Sequence, residues 1–269
     1  MTAAAGIFTR DMMHDDDYST AFFSESERFF HNRMNGVLAQ YNGKRDSYVE
    51  FVCDWEGMYS TLSREKFRIL LAGRHYLDTF YYGFNYSMFH YAGQQGAPIE
   101  NVVDLQLLNP CVGVRFNAFF DFDIKLGALL TAQRDRSFGH SWEKPCMGEF
   151  AFRISRWGLS LDERLYVGDN IHPFFYGHEL EDGTPLPYGR ELYPAESFFR
   201  TDQKVYSRTA LSYRRSFFND TVSVRAEFAA HHDGTALGTQ QMLVVGVKLL
   251  KTVYNLSLIH ISEPTRLLS

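Results

Sequence analysis

The residues His231, His232 and Asp233 are the cluster in the sequence that most resembles a set of metal ligands. They follow an alternating stretch and precede Gly234, a pattern that predicts a turn at the end of a strand. Adjacent residues of a strand point to opposite faces, so the two imidazoles are badly placed to bind one ion. The cluster therefore predicts a solvated turn, and the sequence indicates neither a metal nor a cofactor.

Charged residues on the polar faces of predicted strands are the second group that could have a function. Rings of charged side chains inside a pore can set its selectivity. Their mixed signs here predict weak ion selectivity, and the alternative is a polar network of ion pairs that fills a narrow lumen. The candidate lumen-lining residues are Arg68, Arg74, Asp121, Asp123, Lys125, Arg153, Arg225 and Glu227.

Sequence signatures of common enzymes are absent: there is no GxSxG, HExxH or GxxxxGK[ST] motif. The cysteines Cys53, Cys111 and Cys146 are odd in number and lack CxxC spacing, so they indicate neither a zinc site nor a disulfide framework. A net charge of −5 argues against a nucleic-acid-binding surface. We therefore expect a protein that is not an enzyme and does not bind nucleic acid.

The elements that carry these residues are predicted to be strands, because apolar and polar residues alternate with a period of two from Ser47 onward. The clearest case is the stretch from Phe120 to Gln133, in which only Leu129 is out of step. Similar alternation predicts about nine antiparallel strands, at Ser47 to Trp55, Lys66 to Arg74, Phe80 to Met88, Val103 to Phe116, Phe120 to Gln133, Met147 to Leu161, Val205 to Phe217, Thr221 to Ala230 and Gln241 to Leu249.

The length and composition of these stretches favour a membrane barrel. Several stretches exceed the usual 5 to 6 residues of a globular strand and approach the roughly 9 to 11 that cross a bilayer. The chain has 24 Phe and 16 Tyr, yet its mean hydropathy is −0.27, so apolar and polar residues must be interleaved. Aromatic residues near predicted strand ends fit interfacial girdles: Trp55, Tyr76, Tyr91, Trp142, Trp157 and Tyr213.

A long connection from Asp169 to Thr201 resembles loops of a family of uncharacterised porin-like outer-membrane barrels from anaerobic gut bacteria. Weaker likeness runs from Asp54 to Phe67 and from His90 to Gln95. The residues that carry the likeness are Gly168, Asp169, Asn170, Pro173, Phe174, Tyr176, Gly177, Tyr188, Gly189, Leu192, Tyr193, Phe198, Phe199, Arg200, Thr201 and Tyr206.

The strand pattern and the resemblance together predict an all-β, antiparallel, up-and-down transmembrane barrel, and the resemblance implies a location in the bacterial outer membrane but no established substrate. Our leading hypothesis is passive transport or binding at that membrane, with outer-membrane lipid and small solutes as partners. Two alternatives stay open: a soluble β-sandwich or lipocalin-like binding protein, and a lipid hydrolase embedded in a barrel wall.

The two ends of the sequence set the expected organisation. Residues 256–266 read LSLIHISEPTR, which is identical to a translated transposase sequencing adapter, so we interpret 256–269 as an artefact. Residues 1–17 lack the basic and apolar regions of a secretory signal, which is expected if the barrel is incomplete. We expect an irregular segment or remnant of earlier strands at 1–46 and a barrel portion at 47–255 with its long loop at 169–201.

Overall fold

The computed structural model describes residues 1–96, 102–136, 141–171, 195–200 and 203–247 of the chain. These residues form an all-β structure with one short α-helix, α1 (Glu25–Phe30). The strands are β1 (Thr2–Thr9), β2 (Arg33–Asn42), β3 (Tyr48–Gly57), β4 (Lys66–Leu77), β5 (Phe80–Tyr91), β6 (Val103–Asn117), β7 (Asp121–Asp135), β8 (Cys146–Arg156), β9 (Leu159–Gly168), β10 (Val205–Phe217), β11 (Val222–His232) and β12 (Leu237–Val247).

The twelve strands form a single sheet in which each strand pairs with its neighbours in sequence, in the order β1 to β12. Every pairing is antiparallel, which confirms the predicted up-and-down topology. Among the described residues, β1 pairs only with β2 and β12 only with β11, so the sheet is not closed into a barrel.

The connections are short at one end of the sheet and mostly long at the other. At the short-turn end the strands are joined by residues 43–47, 78–79, 118–120, 157–158 and 218–221. At the long-connection end the linking residues are 10–32, 58–65, 92–102, 136–145, 169–204 and 233–236. Trp157 and Gly158 both have positive φ, 55° and 84°, as a two-residue hairpin turn of type I′ requires.

The sheet curves around residues 10–32, which we call the inner segment. The Tyr18 hydroxyl donates a hydrogen bond to Glu50 of β3 at 3.2 Å, while the hydroxyl of the next residue, Ser19, lies 3.0 Å from that of Tyr166 in β9. In a flat sheet β3 and β9 would be roughly 29 Å apart, since neighbouring strands are spaced by about 4.8 Å. Adjacent residues cannot span that distance, so the sheet must bend.

Two faces result from the alternation of side chains along each strand. The inner face, which contacts the inner segment, carries buried polar residues such as Glu50, Asn109 and Glu149. The outer face carries large apolar side chains that are exposed, including Ile7, Val37, Val49, Leu77, Phe80, Tyr82, Phe84, Leu108, Val112, Leu126, Leu130, Leu161, Leu211, Phe228, Leu243 and Val245.

Three features of the predicted strand pattern are wrong. The described residues form twelve strands instead of about nine, because β1 and β2 lie within residues 1–46 and one predicted stretch contains two strands. The stretch Met147 to Leu161 is a hairpin of β8 and β9, not one strand. Tyr76 and Tyr91 are not girdle residues of the outer face, because they are buried on the inner face. Residues 248–269, including the adapter-like stretch, lie outside the described residues, as does most of the predicted loop 169–201.

In the part of the chain that the structure describes, no helix is both long and apolar enough to span a bilayer.

Candidate functional site

The inner segment fills the inner face near the long-connection end with apolar side chains. Tyr18, Phe22 and Phe23 are almost completely buried. They belong to one apolar cluster with Phe198 and Phe199, which lie in a 3-10 helix at the end of the long connection. This cluster includes side chains from both halves of the sheet and therefore fills the interior between them.

Local sequence explains how the inner segment turns back into the sheet. The Ser24 side chain accepts a hydrogen bond from the backbone N–H of Glu27 at 3.0 Å, which caps the first turn of α1. The Arg28 guanidinium then ties α1 to the preceding turn, because it donates to the backbone oxygens of Asp15 and Tyr18 at 3.0 Å each. The segment is therefore a folded unit and not an extended linker.

The middle of the inner face contains a fully buried carboxylate, Glu149 of β8. It lies 3.1 Å from the Lys125 ammonium group and accepts hydrogen bonds from Tyr166 at 3.1 Å and Asn109 at 3.0 Å. A buried charge is tolerated only when it is paired and hydrogen-bonded. Glu149 therefore connects Asn109 of β6, Lys125 of β7 and Tyr166 of β9. Of these, Tyr166 contacts Ser19 of the inner segment.

The carboxylates of the inner segment face arginines of the surrounding strands. Asp17 forms an ion pair with Arg74 of β4 at 2.8 Å, and Glu25 lies 3.5 Å from Arg225 of β11. Arg74 is 6% exposed, so the first pair is largely shielded from water. These two contacts hold the segment against opposite sides of the curved sheet.

Burial and charge act differently on the two best-buried acids of the inner segment. Burial raises the pKa of Asp15, although Arg28 lies 3.1 Å away and opposes the shift. Burial would also raise the pKa of Glu25, but the guanidinium groups of Arg28, Arg208 and Arg225 outweigh it and lower that pKa. Ionised Glu25 therefore stabilises the fold above its unfolded pKa, and this contribution is lost as the pH falls through the folded pKa.

All eight predicted lumen-lining residues lie on the inner face, and seven of them border two cavities toward the short-turn end. A cavity of about 280 Å³ is bordered by Asp121, Arg153, Arg225 and Glu227, and one of about 70 Å³ by Arg74, Asp123, Lys125 and Arg153. Arg68 lies apart from them, paired with Glu56 at 3.0 Å and placed over the rings of Phe23 and Phe89. Their role in lining a lumen stays a prediction.

Several residues of these cavities are missing from the sequence-based set. Arg164 and Arg208 were not predicted, and neither were Asp16 and Asp17, which border the cavities from the inner segment. Glu149 and Arg153 are both odd-numbered residues of β8 and therefore share a face, so Glu149 could have been found from the alternation alone. Arg164 could not, because the pattern did not separate β9 from β8.

The histidines of the predicted turn are on opposite sides of β11, as the alternation implies. The ring of His231 is 2.6 Å from the Tyr206 hydroxyl on the inner face, while His232 accepts a hydrogen bond from the backbone N–H of Gly234 at 3.1 Å. Within the described residues, no group of three or more His, Cys, Asp or Glu side chains is arranged to hold a metal ion.

Comparison of the chain with protein families, with curated proteins and with solved structures finds no match in any of the three.

Proposed function

We propose that the chain is a membrane-spanning outer-membrane barrel of the porin-like kind, which binds small solutes in its interior and passes them passively. The observation that carries the proposal is the inverted polarity of the sheet. Polar side chains such as Glu50 and Gln133 are completely buried on the inner face, while Leu126, Leu211 and Leu243 are more than half exposed on the outer face.

In a soluble protein, exposure of such an apolar surface to water would be energetically unfavourable. Single exposed apolar side chains are normal, but contiguous patches larger than a few hundred Å² mark a surface that contacts a partner or a membrane. Large exposed apolar residues occur on the outer face of eleven of the twelve strands, β8 being the exception. Lipid is the partner whose chemistry fits an apolar surface that extends across a whole sheet.

The distribution of connections and aromatic residues supports the same proposal. Outer-membrane barrels combine short turns on the periplasmic side with longer external loops, and aromatic girdles flank their apolar band. The described sheet has this asymmetry of connections. Exposed aromatic side chains gather at its short-turn end, at Phe80, Tyr82, Phe119, Trp157, Phe217 and Phe218.

The proposal requires that the sheet be closed in the membrane. An open strand edge leaves N–H and C=O groups unsatisfied in hydrocarbon, where no water can replace the missing partners. The edges of β1 and β12, which are unpaired in the described residues, must therefore find partner strands in the bilayer.

The filled interior indicates gated passage and not an open pore. Tyr18, Phe23 and Phe199 are at most 1% exposed in the apolar cluster, so packed side chains and not a water-filled channel occupy this part of the interior. The cavities at the short-turn end remain accessible to small solutes. Passage therefore depends on displacement of the inner segment.

Liposome swelling in small neutral sugars tests this function. We expect slow entry with the unmodified chain and at least severalfold faster entry with Asp17→Asn combined with Glu25→Gln, because each change removes an ion pair between the inner segment and the wall. The matched control is Asp46→Asn combined with Asp220→Asn, in exposed turns with positive φ that asparagine tolerates.

Two outcomes of the swelling experiment would count against the proposal. If neither chain admits sugar although both sediment with the vesicles, passage through the interior is contradicted. If the unmodified chain admits sugar as fast as the double variant, the inner segment does not control entry. Circular dichroism of each variant in the vesicles verifies that the β structure is retained.

A further inference from the structure

Four arginines on neighbouring strands face one another across the 280 Å³ cavity. In the sheet register Arg164 of β9 is directly opposite Arg208 of β10, and Arg214 of β10 is directly opposite Arg225 of β11. All four border the cavity. Directly opposed residues have Cβ atoms roughly 5 Å apart, and like charges in such pairs are destabilising. The arrangement therefore needs compensating negative charge.

The carboxylates of the cavity only partly supply that charge. Seven arginines and five acidic residues border it, an excess of two positive charges. Glu227 is shared between Arg208 and Arg225, and Glu25 between Arg28 and Arg225. Each of these two carboxylates thus contacts two guanidinium groups but supplies only one negative charge.

Two of these guanidinium groups have no direct acceptor among the described residues. Within the described part of the chain, the side chains of Arg164 and Arg214 have no hydrogen bond or ion pair within 4.0 Å, and the nearby carboxylate Asp162 is already paired with Arg153. The buried Nε of Arg208 also has no hydrogen-bond partner among the described residues. Arg164 is half-buried and lies near Glu149, Glu25 and Asp162, which compensate its charge at longer range, whereas Arg214 is exposed. Both border the same cavity, where their hydrogen-bond donors are available to a ligand.

Small residues between the two arginine pairs create room for a ligand. Along the inner face of β10, Ala210 and Ser212 separate Arg208 from Arg214, and Ser212 lies opposite Ser160 of β9. The hydroxyls of Ser160 and Ser212 are 2.7 Å apart and line the cavity. The cavity volume is just below the range of about 300–1,000 Å³ that is usual for ligand pockets, which suits a small solute.

We propose that this cavity is a binding site for a small oxyanion carrying carboxylate, sulfate or phosphate groups. The guanidinium fork matches the geometry of such groups and forms charge-assisted hydrogen bonds with them. This inference specifies the class of solute that the proposed barrel would bind. Its physiological meaning rests on the function proposed above. The site itself is formed by described residues of β7 to β11, the turn between β8 and β9, and the inner segment.

Titration of the refolded full chain in neutral detergent micelles with sodium sulfate, followed by calorimetry at low ionic strength, tests the site. Sulfate stays a dianion throughout the neutral pH range, so no protonation change complicates the heat. We expect saturable binding that Arg164→Gln and Arg214→Gln each weaken at least about tenfold, because each removes hydrogen bonds from a charged donor. Arg164→Lys keeps the charge but loses the fork, and we expect it to weaken binding to a smaller extent.

The control is Arg215→Gln, which changes the neighbouring residue on the outer face of β10 and should leave sulfate affinity unchanged. No saturable binding at millimolar sulfate, or equal weakening by Arg215→Gln and Arg214→Gln, would overturn the inference. Sedimentation of the same preparation with vesicles separates the two proposals. Insertion without sulfate binding refutes the oxyanion site alone, and binding without insertion refutes the membrane function alone.

Discussion

Replacing Glu149 by alanine is expected to destabilise the folded chain by about 3–5 kcal/mol, the cost of breaking a buried ion pair by removing one partner. The Glu149 side chain is 0% exposed, and Lys125, whose ammonium group lies 3.1 Å away, is 10% exposed. Without the carboxylate, Lys125 is left charged and uncompensated, and Tyr166 and Asn109 lose an acceptor. Equilibrium unfolding in urea, monitored by tryptophan fluorescence in micelles, measures the change.

Two further variants distinguish the loss of the Glu149–Lys125 ion pair from a general effect of substituting a glutamate. Glu143→Ala changes an exposed glutamate and should alter the free energy of unfolding by no more than about 0.5 kcal/mol. Glu149→Leu combined with Lys125→Met removes both charges, and we expect it to recover much of the lost stability, since apolar replacements of buried pairs are often neutral. Glu149→Ala and Glu143→Ala having the same effect would contradict the buried-pair assignment.

Arginine on the outer face is expected to cost about 2–4 kcal/mol of folding free energy in lipid vesicles when it lies near the bilayer midplane. Leu211→Arg and Leu243→Arg test this, because both leucines are more than half exposed and lie near the middle of their strands. In water the same changes would cost almost nothing, since an exposed leucine makes few contacts. The size of the effect therefore reports what surrounds the outer face.

The matched control for these variants is Met242→Arg. Met242 precedes Leu243 but faces the interior, where it borders a cavity of about 470 Å³ together with Asp15, Asp16 and Asp17. An arginine there meets carboxylates and water, so we expect little loss of stability. The fraction of each variant, Leu211→Arg, Leu243→Arg and Met242→Arg, that refolds into vesicles is measured by the heat-dependent shift in gel mobility. Equal tolerance of arginine at positions 211, 242 and 243 would contradict a lipid-facing outer surface.

The sequence predicts the strands well where one face is polar and fails where the inner segment covers the other face. In β2 the inward Leu38 is buried under that segment and the outward Val37 is exposed, so both faces are apolar and no alternation remains. Leu129, which breaks the alternation of β7, is inward and completely buried. The exception in the pattern thus marks a contact with a distant part of the chain.

The candidate site was predictable only in part for a similar reason. Parity along a strand indicates which charged residues share a face, and the eight candidates do lie on the inner face. Parity does not indicate which strands are neighbours or in what register, and the opposition of Arg164 to Arg208 depends on both. The roles of Tyr18 and Asp17 depend on the folding of the inner segment into the sheet, which no local pattern encodes.

The central claim is that the outer face of the sheet contacts lipid, and nitroxide scanning of β7 in vesicles tests it most directly. Single cysteines from position 122 to 132, with Cys53, Cys111 and Cys146 replaced by serine, would each carry a spin label. We predict high oxygen accessibility and low accessibility to a water-soluble nickel chelate at the even positions, where Phe122, Ile124, Leu126, Ala128, Leu130 and Ala132 face outward. A chain that runs as a monodisperse detergent-free monomer, with the nickel chelate reaching the even positions as freely as oxygen does, would contradict the claim.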